Sequence, residues 1–291
     1  MQLNIQNETA RLKSVILGIA DDMGSPLDIN PVSKSHIENG TYPTQSAIQA
    51  ELLTVEEALK SQGIDVYRPE NISGTDQIFT RDIGFVIDQT FVIANMKEEV
   101  RMKELPGIQS ILDSVPSASI MHLPDEATIE GGDVIVHNDH ILIGISKRTN
   151  WEGFEFIKQS FPNKKVHALP LVVTDQPNTN ILHLDCAFQP VGKNSAIIYE
   201  AGFQTNPQII YDLFQPEALI HVTQNQKELM FPNIFSLAPD LVLIEENFTE
   251  LIEALDKKGI RSIKVKYQET SKLSGLLRCS TLPLYRYPAN T

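Results

Sequence analysis

The chain has 291 residues, 42% of them hydrophobic and 21% charged, and its 37 acidic residues against 24 lysines and arginines leave a net charge of −13. That is the composition of a folded globular protein, and the acid excess argues against nucleic acid or an anionic membrane as the main partner, because both call for positive charge on the protein. No apolar run approaches a membrane span, and the stretch MQLNIQNETARLKSVILGIA lacks a basic segment followed by an unbroken apolar one, so no signal peptide is expected and a cytoplasmic location is the default.

In chain order, residues 11–20 (RLKSVILGIA) read as a strand. Residues 24–43 are polar and without clear periodicity, either a lid over a site or a plain surface connection. A helix is predicted over 45–62 and a short strand over 64–69. One pattern then recurs: two apolar runs joined by a polar turn, a helical stretch, and a short strand. The paired runs begin at Gly84, Val134, Leu184 and Ile234, an interval of 50 residues each time, and their centres carry the turn signals Asp88-Gln89, Asn138-Asp139, Gly192-Lys193-Asn194 and Pro239-Asp240. The short strands fall at 119–124, 165–170, 218–223 and 262–267. The helix predicted at 247–258 spaces Phe248, Leu251, Ile252 and Leu255 along one face and is stopped by Gly259. Residues 275–286 and 11–20 supply the hairpin of a fifth unit, completed by the helix at 45–62 and the strand at 64–69. Five ββαβ units closed by the chain termini describe an α/β ring in a single domain over 1–291. Such radial repetition protects sheet edges and brings one end of every unit to a central axis.

The ring predicts that the residues entering each hairpin converge. Those segments are Phe79-Thr80-Arg81-Asp82, Glu130-Gly131-Gly132-Asp133, His183-Leu184-Asp185 and Leu277-Arg278-Cys279, while the fourth unit offers only Phe231-Pro232-Asn233. Cys279 and His183 together make a thiol nucleophile and a proton carrier. The carboxylates Asp82, Glu130 and Asp185 are acceptors, unlike the donors that stabilise an oxyanion. They suit a cationic substrate with many N–H groups, such as a guanidinium, which forks onto carboxylates in pairs. The second cysteine, Cys186, alternates with Leu184 and Phe188 and reads as a buried strand residue. No metal site is expected, and no GxGxxG fingerprint points to a dinucleotide cofactor.

The motifs IEGGD, HLDCAF, GISKRT and LLRCSTLPL resemble those of the guanidine-modifying enzymes of the pentein fold. These are the arginine deiminases, dimethylarginine dimethylaminohydrolases, agmatine deiminases and amidinotransferases. The resemblance implies a five-bladed α/β propeller and no cofactor. It implies Cys279 as nucleophile, His183 as general acid and base, and Glu130 as the catalytic carboxylate. Asp82 and Asp185 would grip the guanidinium. Arg148 would bind a substrate carboxylate, with Arg101 as a second candidate; the alternative for both is a solvated surface arginine. Arg81, in the FTRD segment where the resemblance begins, joins them as a substrate-binding candidate. The implied activity is hydrolysis of L-arginine or a close derivative to a ureido product, through a covalent amidino-thioether. Dimethylarginine hydrolysis, amidino transfer to an amine, and a non-catalytic binding module are the alternatives. Asp185 favours the deiminases, since a doubly methylated nitrogen has no N–H to offer a carboxylate there. Homo-oligomerisation is left open.

Overall fold

The computed structural model describes residues 1–288. Its fifteen strands form five three-stranded sheets of one design: an antiparallel pair, with a third strand parallel to the pair's second member. Four sheets are sequential in the chain. They are built on the hairpins Gly84–Ile87 with Thr90–Ile93, Val134–His137 with His140–Ile145, Phe188–Val191 with Ser195–Ile198, and Phe235–Ala238 with Leu241–Glu245. The fifth joins the chain ends, pairing Leu12–Leu17 antiparallel with Thr281–Arg286 and parallel with Asp65–Tyr67. Asp88, Asn138 and Gly192 take positive φ (50°, 55° and 64°) at the predicted turns, as tight hairpins demand.

The paired strands are largely buried and apolar on both faces, and in two sheets they separate two buried clusters. Val15 and Leu17 face one cluster and Ile16 the other; Ile135 and Leu142 likewise oppose Val134, Val136, Ile141 and Ile143. This is the period-two alternation of a strand with no solvent face. The third strands lie further out and are shorter than predicted: Ile120–His122, Leu219–His221 and Arg261–Val265, while Lys165–Pro170 matches its predicted bounds.

Helix α1 spans Pro31–Glu38, inside the segment read as aperiodic, with Asn30 as its N-cap. Helix α2, Gln45–Ser61, buries Ile48, Leu52, Val55 and Leu59. Helix α3, Trp151–Ser160, is capped by Asn150, and α4, Thr249–Lys257, buries Leu251, Ile252 and Leu255. The helical stretches of two units are broken. Residues after Thr90–Ile93 form short pieces around Pro106 and Gly107, and Gln208–Leu213 lies between Pro207 and Pro216, where proline denies the backbone its donors. Residues 275–280 are not strand either. Their amides serve the centre of the molecule: Leu276 and Cys279 donate to the Asn233 side chain, and Arg278 donates to the Asn233 carbonyl.

Hydrogen bonds of this kind link the five hairpin entries in a closed cycle. Arg81 N donates to Cys279 O (2.9 Å) and Gly131 N to Asp82 O (3.4 Å). Leu184 N donates to Asp133 Oδ1 (2.8 Å), Asn233 Nδ2 to Asp185 O (3.4 Å), and Arg278 N to Asn233 O (3.1 Å). The approach is close enough to require glycine: a Cβ on Gly131 would lie 2.1 Å from Arg81 O, and one on Gly132 2.8 Å from the His183 ring.

Asn150 ties α3 to the segment that precedes Glu130. Its Oδ1 accepts from Gly153 N and Thr128 N, and its Nδ2 donates to Glu126 O. Asn150→Ala is expected to lower the unfolding free energy by about 1–2 kcal/mol, as loss of an N-cap does, read from urea denaturation; an unchanged midpoint would contradict this anchoring.

Candidate active site

A cavity of about 20 Å³, room for about one water molecule, lies against Asp76, Asp82, Arg101, Arg148, His183 and Cys279. Its roof is the segment around α1, through Leu27, Ile29, Asn30, Ser33 and Tyr42. The roof is tied down by Arg148 Nη2 donating to Ile29 O (2.8 Å) and Asn30 Nδ2 to Leu273 O (3.3 Å).

The sequence candidates divide within this geometry. His183 Nε2 is 2.8 Å from Glu130 Oε2, and its Nδ1 is 3.7 Å from Asp82 Oδ1. Burial alone would push the imidazolium pKa down; the charge of Asp82 and the hydrogen bond to Glu130 override it and hold the pKa up at about 9. The reciprocal effect of His183, with the charge of Arg148, overcomes burial and holds the Glu130 carboxyl down at about 2. One N or O atom each from Asp82, Glu130 and His183 lies within 4.8 Å of the others, but a cation there would displace the proton shared by His183 and Glu130.

Cys279 Sγ lies 3.1 Å from Asn233 Nδ2 and 3.7 Å from Asp185 Oδ2. Burial, then the charges of Asp185 and Asp82, push its thiol pKa well above the ordinary value. Asp185 itself accepts Arg278 Nη1 at 2.8 Å and is not among the cavity-lining residues.

Neither Arg148 nor Arg101 is a surface arginine. Arg148 is 1% exposed and sits between Glu130 (3.4 Å) and Glu98 (3.7 Å). Arg101 donates to Asp82 Oδ2 (2.7 Å), to both oxygens of Glu104 and to Phe79 O. It is held by protein groups and stands as a counter-ion to Asp82. Arg81 is a correction: it lies outside the cavity lining, with Nε donating to Arg278 O at 3.4 Å. Burial and the charge of Arg278 bring its pKa down to about 9. Cys186 is buried as expected, but in the 3-10 turn Leu184–Cys186 rather than a strand.

Two buried groups, Asn233 and Glu8, and the half-buried Asp76 are not marked as site residues by the sequence. Asn233, in the fourth unit, touches the candidate nucleophile. Its signal was present in the repeat, since it stands where the other units place Asp82, Glu130, His183 and Cys279. Asp76 lines the cavity from a loop with no motif. Glu8 lies 3.3 Å from Arg278 Nη2, and nothing local to the N-terminal segment marks it.

The family model described as "N,N dimethylarginine dimethylhydrolase, eukaryotic" matches residues 27–286. The chain belongs to the dimethylarginine dimethylhydrolase family, within the pentein superfamily. It is 28% identical over 282 residues to an uncharacterised protein of Bacillus subtilis (strain 168), covering 97% of this chain and 94% of that protein. Two solved structures share the fold at 19% identity. One is SxtG, an amidinotransferase from Microseira wollei in the saxitoxin biosynthetic pathway (TM-score 0.83, covering 99% of this chain and 98% of that one). The other is the N-terminal domain of ArgZ, a cyanobacterial arginine dihydrolase (TM-score 0.82, covering 94% and 97%). Among the described residues of this family member no helix is long and apolar enough to cross a membrane.

The His183 geometry sets a pH dependence. Its folded pKa of about 9 exceeds the ordinary 6.5, so the stabilisation is complete below about 6.5 and is lost as pH rises through about 9. Glu130 acts in the opposite sense, stabilising above about 4.5 and losing that contribution as pH falls toward about 2. Denaturation of the wild type across pH 6.5–9 should show falling stability, and His183→Gln should flatten the slope; equal slopes for the two proteins would contradict the raised histidine.

Proposed function

We propose that this chain is a cysteine hydrolase acting on the guanidino group of arginine or an N-methylated arginine, yielding a ureido product and ammonia or an amine. The observation that carries this is the composition of one buried cavity: a thiol, a histidine hydrogen-bonded to Glu130 and kept charged by Asp82, and unpartnered polar atoms. Asp82 Oδ1 and His183 Nδ1 are both buried without a hydrogen-bond partner, which is costly unless a ligand supplies one. A guanidinium N–H satisfies the Asp82 oxygen and brings a positive charge among the carboxylates. Asp76 and Arg148, of opposite charge and both in the lining, suit an amino acid head group better than a plain amine. Family membership supports the methylated substrate.

The chemistry follows from the charge states. The bound guanidinium offsets the carboxylate charge that disfavours the thiolate, and the thiol proton leaves to solvent. The thiolate of Cys279 forms a C–S bond to the guanidino carbon. The C–N bond to the departing ammonia or amine breaks as His183, held protonated, delivers its proton. Water then adds to the same carbon and gives a proton back to His183, and the C–S bond breaks to release the ureido product. Space for one water means that substrate entry requires the roof at 24–43 to move, so that segment is read as a lid. The hydrogen-bonded cycle of hairpin entries supports reading the five sheets as blades of one propeller domain.

Amidino transfer is the second reading, supported by the fold shared with an amidinotransferase. In it an amine replaces the hydrolytic water. Incubation with arginine, with asymmetric dimethylarginine, and with arginine plus glycine separates the cases by mass spectrometry. A ureido product supports hydrolysis, and a new guanidino compound with ornithine supports transfer. Cys279→Ser should reduce turnover about 10⁴-fold or more; full activity in that variant removes the covalent mechanism.

A further inference from the structure

The fourth unit is the one from which the sequence reading assigned no side chain to the site. Its entry residue, Asn233, is fully buried. The orientation of its amide is determined by its surroundings. Oδ1 faces two backbone donors, Leu276 N and Cys279 N, each at 3.1 Å, which only an oxygen can accept. The amino group is therefore the end turned toward Cys279 Sγ (3.1 Å) and Asp185 O (3.4 Å). Around the same sulfur, Asp185 presents acceptors at 3.7 Å and 4.0 Å. These favour the S–H form, whereas an N–H donor favours the thiolate, because hydrogen bonds to an ionised acceptor are the stronger ones.

We propose that Asn233 is a further catalytic residue, whose side-chain N–H donates to the sulfur of Cys279 and stabilises the thiolate. It opposes the surrounding carboxylates from the first deprotonation through the release of the amidino-thioether, when the sulfur again becomes anionic as the C–S bond breaks. Its backbone and Oδ1 contacts are a separate matter: they hold the turn at 276–279 in place. This rests on Cys279 being the nucleophile, and the two ideas fail differently.

Asn233→Asp preserves the turn at the cost of a new charge beside the sulfur. It keeps an acceptor for Leu276 N and Cys279 N, so the turn retains its hydrogen bonds, but it removes the donor to sulfur. Asn233→Ala removes both without adding charge. The measurement is the rate of Cys279 alkylation by iodoacetamide against pH in ligand-free protein, with the modified peptide identified by mass spectrometry so that Cys186 is not counted. Both variants should move the midpoint to higher pH, by about one to two units for a lost hydrogen bond to a charged group. Turnover by Asn233→Asp should fall about 10²-fold with its melting temperature near the wild type's. A clamp without a donor role predicts instead that Asn233→Ala, which adds no charge, matches the wild-type midpoint, and that result overturns the proposal; the new carboxylate of Asn233→Asp raises the midpoint by its charge alone, so its rise does not count toward the donor. A second readout needs no variant fold. In the ¹⁵N-labelled wild type, an asparagine side-chain amide proton should shift with the same midpoint as thiol ionisation, and the absence of any such titrating amide also overturns it. Full turnover by Cys279→Ser would overturn the nucleophile assignment instead.

Discussion

The structure depends on a closed set of hydrogen bonds at its centre, in which each hairpin entry binds the next. Backbone groups at these entries have no water to turn to, so each must find its partner on a neighbouring sheet. That requirement explains several sequence features at once. Gly131 and Gly132 are side-chain-free because backbone or ring atoms occupy the space. Asp133 is spent on Leu184 N and on Ser146 rather than on a substrate. The last strand starts only at Thr281, because the amides of the residues before it are turned inward.

The same centre is crowded with charge, and most of that charge is matched internally. Arg101 takes one oxygen of Asp82, Arg148 lies against Glu130, and Arg278 joins Asp185 to Glu8. Removing water from so many ions is expensive, so their value lies in defining one arrangement rather than in net stability. Among the acidic and imidazole groups at the cavity, the matching leaves over an oxygen of Asp82 and a nitrogen of His183, beside a thiol held unionised by acids. A cation of matching shape completes that set. The guanidinium of the proposed substrate would bring positive charge to this acidic centre.

Much of this could be read from residues alone where the signal was local or periodic. The paired apolar runs, their turn residues and the helices at 45–62 and 247–258 follow from spacing and from glycine, asparagine and aspartate chemistry. Irregular stretches were less legible. Proline-broken helices looked continuous, and α1 lay unseen in a polar segment because one short helix carries too few apolar positions to show a period. Among the site candidates, Cys279, His183 and Asp82 meet at the cavity, with Glu130 directly behind the histidine.

The sequence by itself determined the repeat, the sheet-forming runs and the set of side chains delivered to one end of each unit, because these depend on neighbours within a few residues. Only the tertiary structure decided which carboxylates are free and which are neutralised. It withdrew Arg81 from the cavity lining, paired Asp185 with Arg278, made Arg101 a counter-ion, and brought Asn233 to the sulfur and Glu8 to Arg278 across 46 and 270 positions of chain. A charge is assigned its role by the nearest opposite charge, and where five sheets meet through their hairpin entries that neighbour comes from another part of the chain.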